Sequence, residues 1–167
     1  LKGAFFKEVK DMRKIFLVIM AVLLMASNLY AAGSCTQTLS VTSNPIMKTI
    51  KFVCTGDAAD GSIPNTAISA TNFAEIDGYY LYMVSAYPTS GGIAPDAADV
   101  TILHGAYDVL GGKGVGLIHA TLQYDVIPYS TFMGLYRYWP VTAILTLAVA
   151  NQATKSANFT VELTFSR

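Results

Sequence analysis

After Gly33 no stretch of this chain sustains a 3.6-residue apolar period; where a pattern exists, its period is two. Phe159, Val161, Leu163 and Phe165 alternate with Thr160, Glu162 and Thr164, which predicts a half-buried strand. Gly78 to Tyr87 is a run of strand formers that ends at Pro88 and a Ser90-Gly91-Gly92 loop. Val100 to Leu103 and Tyr107 to Leu110 read as two short strands, and Leu117 to Tyr124 and Val141 to Val149 as strands of a buried sheet. Only Asn65 to Ala74 leaves room for a short helical turn. About seven to nine strands separated by Gly, Pro and Asp turns predict an all-β fold, an antiparallel β-sandwich of immunoglobulin-like or jelly-roll type.

The two cysteines sharpen this. Leu39 and Val41 alternate with polar residues, Ser43-Asn44-Pro45 reads as a turn, and Ile50, Phe52 and Cys54 alternate again. A hairpin turning at Asn44-Pro45 opposes residues whose numbers add to 89, as 35 and 54 do. Cys35 therefore faces Cys54 on one side of the hairpin, with Leu39 opposite Ile50. A disulfide is the expectation, worth about 3 kcal/mol in the loop-entropy description. Two free thiols or a redox pair are the alternative, but no Cys-x-x-Cys is present.

Upstream, Met12-Arg13-Lys14 precedes an apolar run from Ile15 to Ala26 and a small-residue exit at Ala31-Ala32-Gly33. That is the three-part pattern of a helical signal peptide. As a helix the run reaches about 18 Å, short of a roughly 30 Å hydrocarbon core. Residues 12–32 are therefore read as a signal peptide and 33–167 as a single β-sandwich domain. Residues 1–11 read as an untranslated stretch before the start at Met12, because codons for Lys7-Glu8-Val9 can spell a purine-rich ribosome-binding site. Ala32-Gly33-Ser34-Cys35 also offers the Cys of a lipobox, without its usual large aliphatic residue three positions earlier. Export implies an oxidising compartment, where a Cys35–Cys54 bridge persists. The expected location is extracellular or on the surface of a bacterium, with no membrane attachment after cleavage.

The whole chain balances 11 basic against 11 acidic residues, but six cations against nine anions after Gly33 leave the exported part at −3. A chain without a basic surface has no electrostatic case for nucleic acid. Charged residues make up 13% of the chain, against roughly 25% in an average soluble protein, and hydrophobic residues 53%, which excludes disorder.

Chemistry-bearing motifs are sparse. His104 and His119 stand 15 apart with no ligand spacing and no His-Glu-x-x-His, and there is no Gly-x-Ser-x-Gly elbow. No catalytic residue and no metal site is therefore assigned. Gly111-Gly112-Lys113-Gly114-Val115-Gly116 lacks the P-loop and dinucleotide-binding spacings and reads as a flexible inter-strand loop. Asp57-Ala58-Ala59-Asp60-Gly61 could offer oxygens to calcium, but its spacing misses the EF-hand pattern and suits a turn. No cofactor is expected. The densest feature is aromatic: Tyr129, Phe132, Tyr136, Tyr138 and Trp139, beside Met133, Arg137 and Pro140. Tyr, Trp, Met and Arg are enriched at protein interfaces, and the same rings could stack on sugars. Core packing, a subunit interface and a carbohydrate platform all remain open for Tyr129, Phe132, Tyr136, Arg137, Tyr138 and Trp139.

Residues 56 to 112 carry a recognisable phrase: Gly56-Asp57-Ala58-Ala59-Asp60-Gly61-Ser62-Ile63-Pro64, Ile76-Asp77-Gly78-Tyr79-Tyr80-Leu81, Pro88, Ala94-Pro95-Asp96, Asp99-Val100-Thr101-Ile102 and Asp108-Val109-Leu110-Gly111-Gly112. This resembles small structural proteins of tailed phages and prophages, and Leu145 to Phe165 is similar to the last two strands of that group. The resemblance implies a virion-type structural β-sandwich and transfers no catalytic residue. The export signal and the Cys35/Cys54 hairpin depart from the pattern and favour an extracellular use of such a module. The expected function is an exported, non-enzymatic structural protein that self-assembles into a fibre, filament or surface layer. A homo-oligomer or polymer is the expected state. The alternative is a secreted carbohydrate-binding or adhesion module, with polysaccharide as partner.

Overall fold

A computed structural model of the chain describes residues 32–41 and 46–167. The leader reading and the turn at Asn44-Pro45 lie outside the described residues. Among the described residues twelve strands and one short helix follow in order: β1 (Ser34–Val41), β2 (Met47–Thr55), β3 (Thr66–Ala67), α1 (Ala70–Ile76), β4 (Tyr80–Pro88), β5 (Asp99–His104), β6 (Tyr107–Asp108), β7 (Tyr124–Val126), β8 (Tyr129–Ser130), β9 (Leu135–Tyr136), β10 (Trp139–Pro140), β11 (Leu145–Ala150) and β12 (Asn158–Ser166). The fold is all-β, and every strand pair is antiparallel.

The larger sheet runs β1-β2-β12-β4-β10, with β7 also paired to β4. The last strand is thus inserted at the centre, between β2 and β4. Its inward residues Phe159, Val161, Leu163 and Phe165 pack with Ile50, Phe52 and Cys54 of β2 and with Leu81, Val84 and Ala86 of β4. The smaller sheet runs β3-β11-β5-β6 and contributes Val100, Ile102, Leu145 and Leu147 to the same continuous cluster. Period-two patterning in sequence becomes one core because each sheet turns its apolar face to a shared interior.

The hairpin arithmetic holds residue by residue. β1 and β2 pair from Ser34↔Thr55 through Cys35↔Cys54 and Leu39↔Ile50 to Val41↔Lys48. Cys35 and Cys54 form a disulfide. Replacing both cysteines by Ala should lower unfolding stability by about 3 kcal/mol, since the open chain regains loop entropy. Urea denaturation of the double variant beside the parent checks this; an unchanged midpoint would remove the stapling role.

Several expectations need correction. Leu117 to Tyr124 is not a strand: Ile118 makes a single bridge to Ala98, the chain bends where the Thr121 N–H donates to His119 Nδ1, and pairing resumes at Tyr124. Val141 to Val149 is a strand only from Leu145, because the Val141 N–H and C=O are taken by Tyr79 and Gly78 on the opposite side. Tyr107 to Leu110 pairs for two residues before Asp108 accepts from the Leu110 and Gly112 N–H groups and turns the chain. Nor is β12 half-buried: Thr160 and Thr164 are also shielded, at 5% and 8% exposure, because strands flank them on both sides. The helical turn expected near Asn65 to Ala74 forms slightly later, as α1, capped by Ser69 Oγ accepting from the Asn72 N–H.

The glycine-rich loop is pinned, not flexible. Asp108 holds its first half, Asp99 Oδ1 accepts from the Gly116 N–H, and the Val100 N–H donates to the Gly114 carbonyl. Gly114 is required by close approach: a Cβ there would lie 1.9 Å from the Val100 carbonyl oxygen. Gly114→Ala should cost about 3 kcal/mol, at the upper end of overpacking penalties, because rigid strand backbone must yield. A thermal melt tests this, and a melting point equal to the parent's would contradict the contact.

Candidate functional site: an exposed aromatic hairpin

Two short strands mark where the chain leaves the large sheet and rejoins it. β7 is paired to β4 through Val84–Ala86, and β10 returns to β4 through Leu81 and Tyr80. Between those two anchor points Ile127 to Tyr138 is expelled from the sheet edge and folds on itself as the β8–β9 hairpin, with Tyr129 opposite Tyr136 and Ser130 opposite Leu135. The four-residue tip Thr131-Phe132-Met133-Gly134 closes through the Gly134 N–H donating to the Ser130 carbonyl and the Met133 N–H donating to Ser130 Oγ. Gly134 takes a positive φ of 65° at the end of the turn, which Gly adopts at little cost.

The base is held firmly. The Tyr129 N–H donates to the Val109 carbonyl and the Arg137 N–H to the Pro128 carbonyl. The hydroxyls of Tyr107 and Thr131 are 3.1 Å apart. Tyr129 packs edge-on to Tyr136 at 5.1 Å, with the Lys113 ammonium 4.7 Å from the Tyr129 ring centre.

The tip is another matter. Phe132 is 93% exposed, and Met133, Leu135, Tyr136 and Tyr138 are each about half exposed or more. Large exposed apolar side chains concentrate between Val115 and Tyr138, including Leu122, Tyr124 and Ile127. Single exposed apolar residues need no explanation, whereas a contiguous patch does. A shallow hollow of about 400 Å³, lined by Ile127, Tyr136, Arg137 and Tyr138, opens beside the hairpin. A second, of about 330 Å³, lies among Val115, Tyr124, Val126 and Tyr136.

The six aromatic-segment residues thus divide by environment. Phe132, Tyr136, Arg137 and Tyr138 present themselves to solvent, with Arg137 Nη1 3.3 Å from Met133 Sδ. Tyr129 is half-buried as the hairpin's support. Trp139 is half-buried too: its ring stacks on Tyr107 at 5.2 Å, meets His104 edge-on at 6.1 Å and packs against the core. The contribution of β4 was not legible in sequence. A bulge opposite Thr164 and Phe165 makes Tyr82 an extra residue, whose ring meets Tyr138 at 4.9 Å. Bulges re-aim side chains in this way, but nothing in the run Tyr80-Leu81-Tyr82-Met83 marks where one falls.

The remaining candidate groups serve the fold. Asp57 Oδ1 accepts from the Ala59 N–H and Asp60 Oδ1 from the Ser62 N–H, so both carboxylates shape a turn. The hydrogen bonds from Ser62 lower the Asp60 pKa. Among the described residues no three His, Cys, Asp or Glu side chains converge as metal ligands. His104 Nε2 lies 3.3 Å from Thr142 Oγ1, while His119 belongs to its own bend. On the outer face of the large sheet, Glu162 receives the Tyr87 hydroxyl and the Lys51 ammonium, each at 3.1 Å. The hydrogen bond and charge of Glu162 raise the Lys51 pKa; burial, then the same carboxylate, raises that of Tyr87. At the end of β2, Lys48 pairs with Glu75 at 2.8 Å, and that bond lowers the Glu75 pKa.

Fold and surface together define an all-β protein with an exposed aromatic projection. No protein-family model matches the chain, and no curated protein does. Among solved structures it is similar to one described as "Cyanophage Pam1 capsid asymmetric unit", with a TM-score of 0.35 and 14% identity over 79% of this chain and 85% of that one. A likeness this distant carries no argument about function.

Proposed function

We propose that this protein is an exported, non-enzymatic structural subunit, a β-sandwich that self-associates through the β8–β9 hairpin into an extracellular fibre, filament or surface layer. The observation that carries this reading is Phe132, 93% exposed at the tip of a hairpin whose base is rigid. A fixed projection with an apolar tip loses little conformational freedom on docking, so most of its burial energy is available to the interface. The hollow bounded by Ile127, Tyr136, Arg137 and Tyr138 supplies a concave, largely apolar surface on the same chain. Where the tip of one copy enters the hollow of the next without the reciprocal insertion, the contact is heterologous and propagates unless its rotation closes a ring. The low charge of the chain and its sequence resemblance to small phage structural proteins support the same reading.

Polysaccharide binding is the second reading, favoured by the exposed rings of Tyr136 and Tyr138 flanking Arg137 in that hollow. The two readings separate on the single Trp, Trp139, which adjoins the hairpin. Self-association makes Trp139 fluorescence depend on protein concentration and not on added glycans. A glycan-dependent shift in a protein that stays monomeric would replace the structural reading with the binding one.

A further inference from the structure

We infer a second self-association surface: the edge of β1 that pairs with no described strand, which takes the β1 strand of another copy, antiparallel, about a two-fold axis perpendicular to the sheet. A sheet edge offers unpaired N–H and C=O groups, and folded proteins blunt it with shortness, charge, proline or a bulge. Among the described residues the other edges are blunted by shortness: β3, β6 and β10 have two residues each, and β7 has three. β1 has eight, Ser-Cys-Thr-Gln-Thr-Leu-Ser-Val, with no charge, proline or glycine, and its pairing with β2 runs without a register shift.

The strand is also held in place for pairing. The Cys35–Cys54 bridge ties one end to β2. In the middle, Gln37 Nε2 donates to the Ala67 carbonyl, and Gln37 Oε1 accepts from the Ser69 N–H. A preorganised edge forgoes most of the ordering cost of strand addition.

The occupant follows from length and charge. A second copy offers only one described edge longer than three residues, and that is its own β1. Identical charged strands would repel where like residues oppose, but this strand carries no charge. Directly opposed residues share a face, so the two-fold axis passes through a residue and not between two. The exposed hydroxyls of Ser34, Thr36, Thr38 and Ser40 then oppose one another along the outer face, a favourable pairing for Thr and Ser. This surface lies outside the hairpin and stands without it; where both operate, an isologous and a heterologous contact together build a polymer.

The test starts from the full protein, purified with its disulfide intact and carrying Phe132→Asp to silence the hairpin. Sedimentation equilibrium should give a dimer, and adding Thr36→Lys and Ser40→Lys should weaken it at least tenfold while circular dichroism stays that of the parent. Hydrogen exchange needs no β1 variant. Alternate amides of β1 should exchange at least tenfold more slowly at millimolar than at micromolar concentration. A Phe132→Asp protein that remains monomeric at millimolar concentration overturns the β1 pairing and leaves the hairpin reading intact. So does a dimer that the lysines do not weaken, or β1 exchange independent of concentration. Association unchanged by Phe132→Asp but lost with the lysines supports β1 and removes the hairpin.

Discussion

Replacing Phe132 by Asp is expected to weaken hairpin-mediated association by tens of fold while leaving the fold intact. The ring is 93% exposed, so the isolated subunit loses almost no packing, and surface changes of this kind stay within about 0.5 kcal/mol. In an interface the same ring would be buried, and burying a Phe side chain contributes about 1.5–3 kcal/mol. That loss weakens association by about 10- to 150-fold, the scale of a single interface hot spot. Comparing the concentration dependence of light scattering with thermal melts separates the two effects. A variant that associates like the parent shows that the exposed tip is not the contact.

Leu163→Ala is expected to do the opposite: leave the association surface in place and undermine the fold. Leu163 is 1% exposed on the central strand β12, paired to Ile50 on one side and Val84 on the other. Strands on both sides limit collapse around the missing atoms, so the loss is transfer energy plus a residual cavity, about 3–4 kcal/mol. For a domain of this size that lowers the melting point by about 10–15 °C. Urea unfolding should show a lower midpoint with an unchanged slope. A shift of only a degree or two would mean that β12 is not the central strand.

Local pattern carried far where the chain pairs with its near neighbour. The alternation around Ser43-Asn44-Pro45 is enough to oppose Cys35 to Cys54, because a short hairpin fixes its own register. The alternation of Phe159 to Phe165 announces a strand but not its place at the centre, between β2 and β4, because long-range strand order leaves no local mark. That placement is why Thr160 and Thr164 are shielded, where an edge strand would expose them. Leu117 to Tyr124 misleads for a related reason. Leu117 and Ile118 are buried with only a single bridge to Ala98, and buried apolar residues in a loop look like a strand when read locally. At the aromatic segment, composition located the cluster but not its division. Trp139 turns to Tyr107 and the core, while Phe132 projects to solvent, because β7 and β10 pin the chain to β4 on either side of the excursion.

The most direct measurement is the mass of the unmodified protein in solution, by light scattering across a wide concentration range, with electron microscopy of the same sample. A structural subunit should give mass that rises with concentration and ordered polymers of uniform width, with the polymers lost on Phe132→Asp and growth stopping at the β1-paired dimer. A monodisperse monomer at the highest concentrations, with no ordered particles on the grid, would contradict self-assembly as the function of this fold.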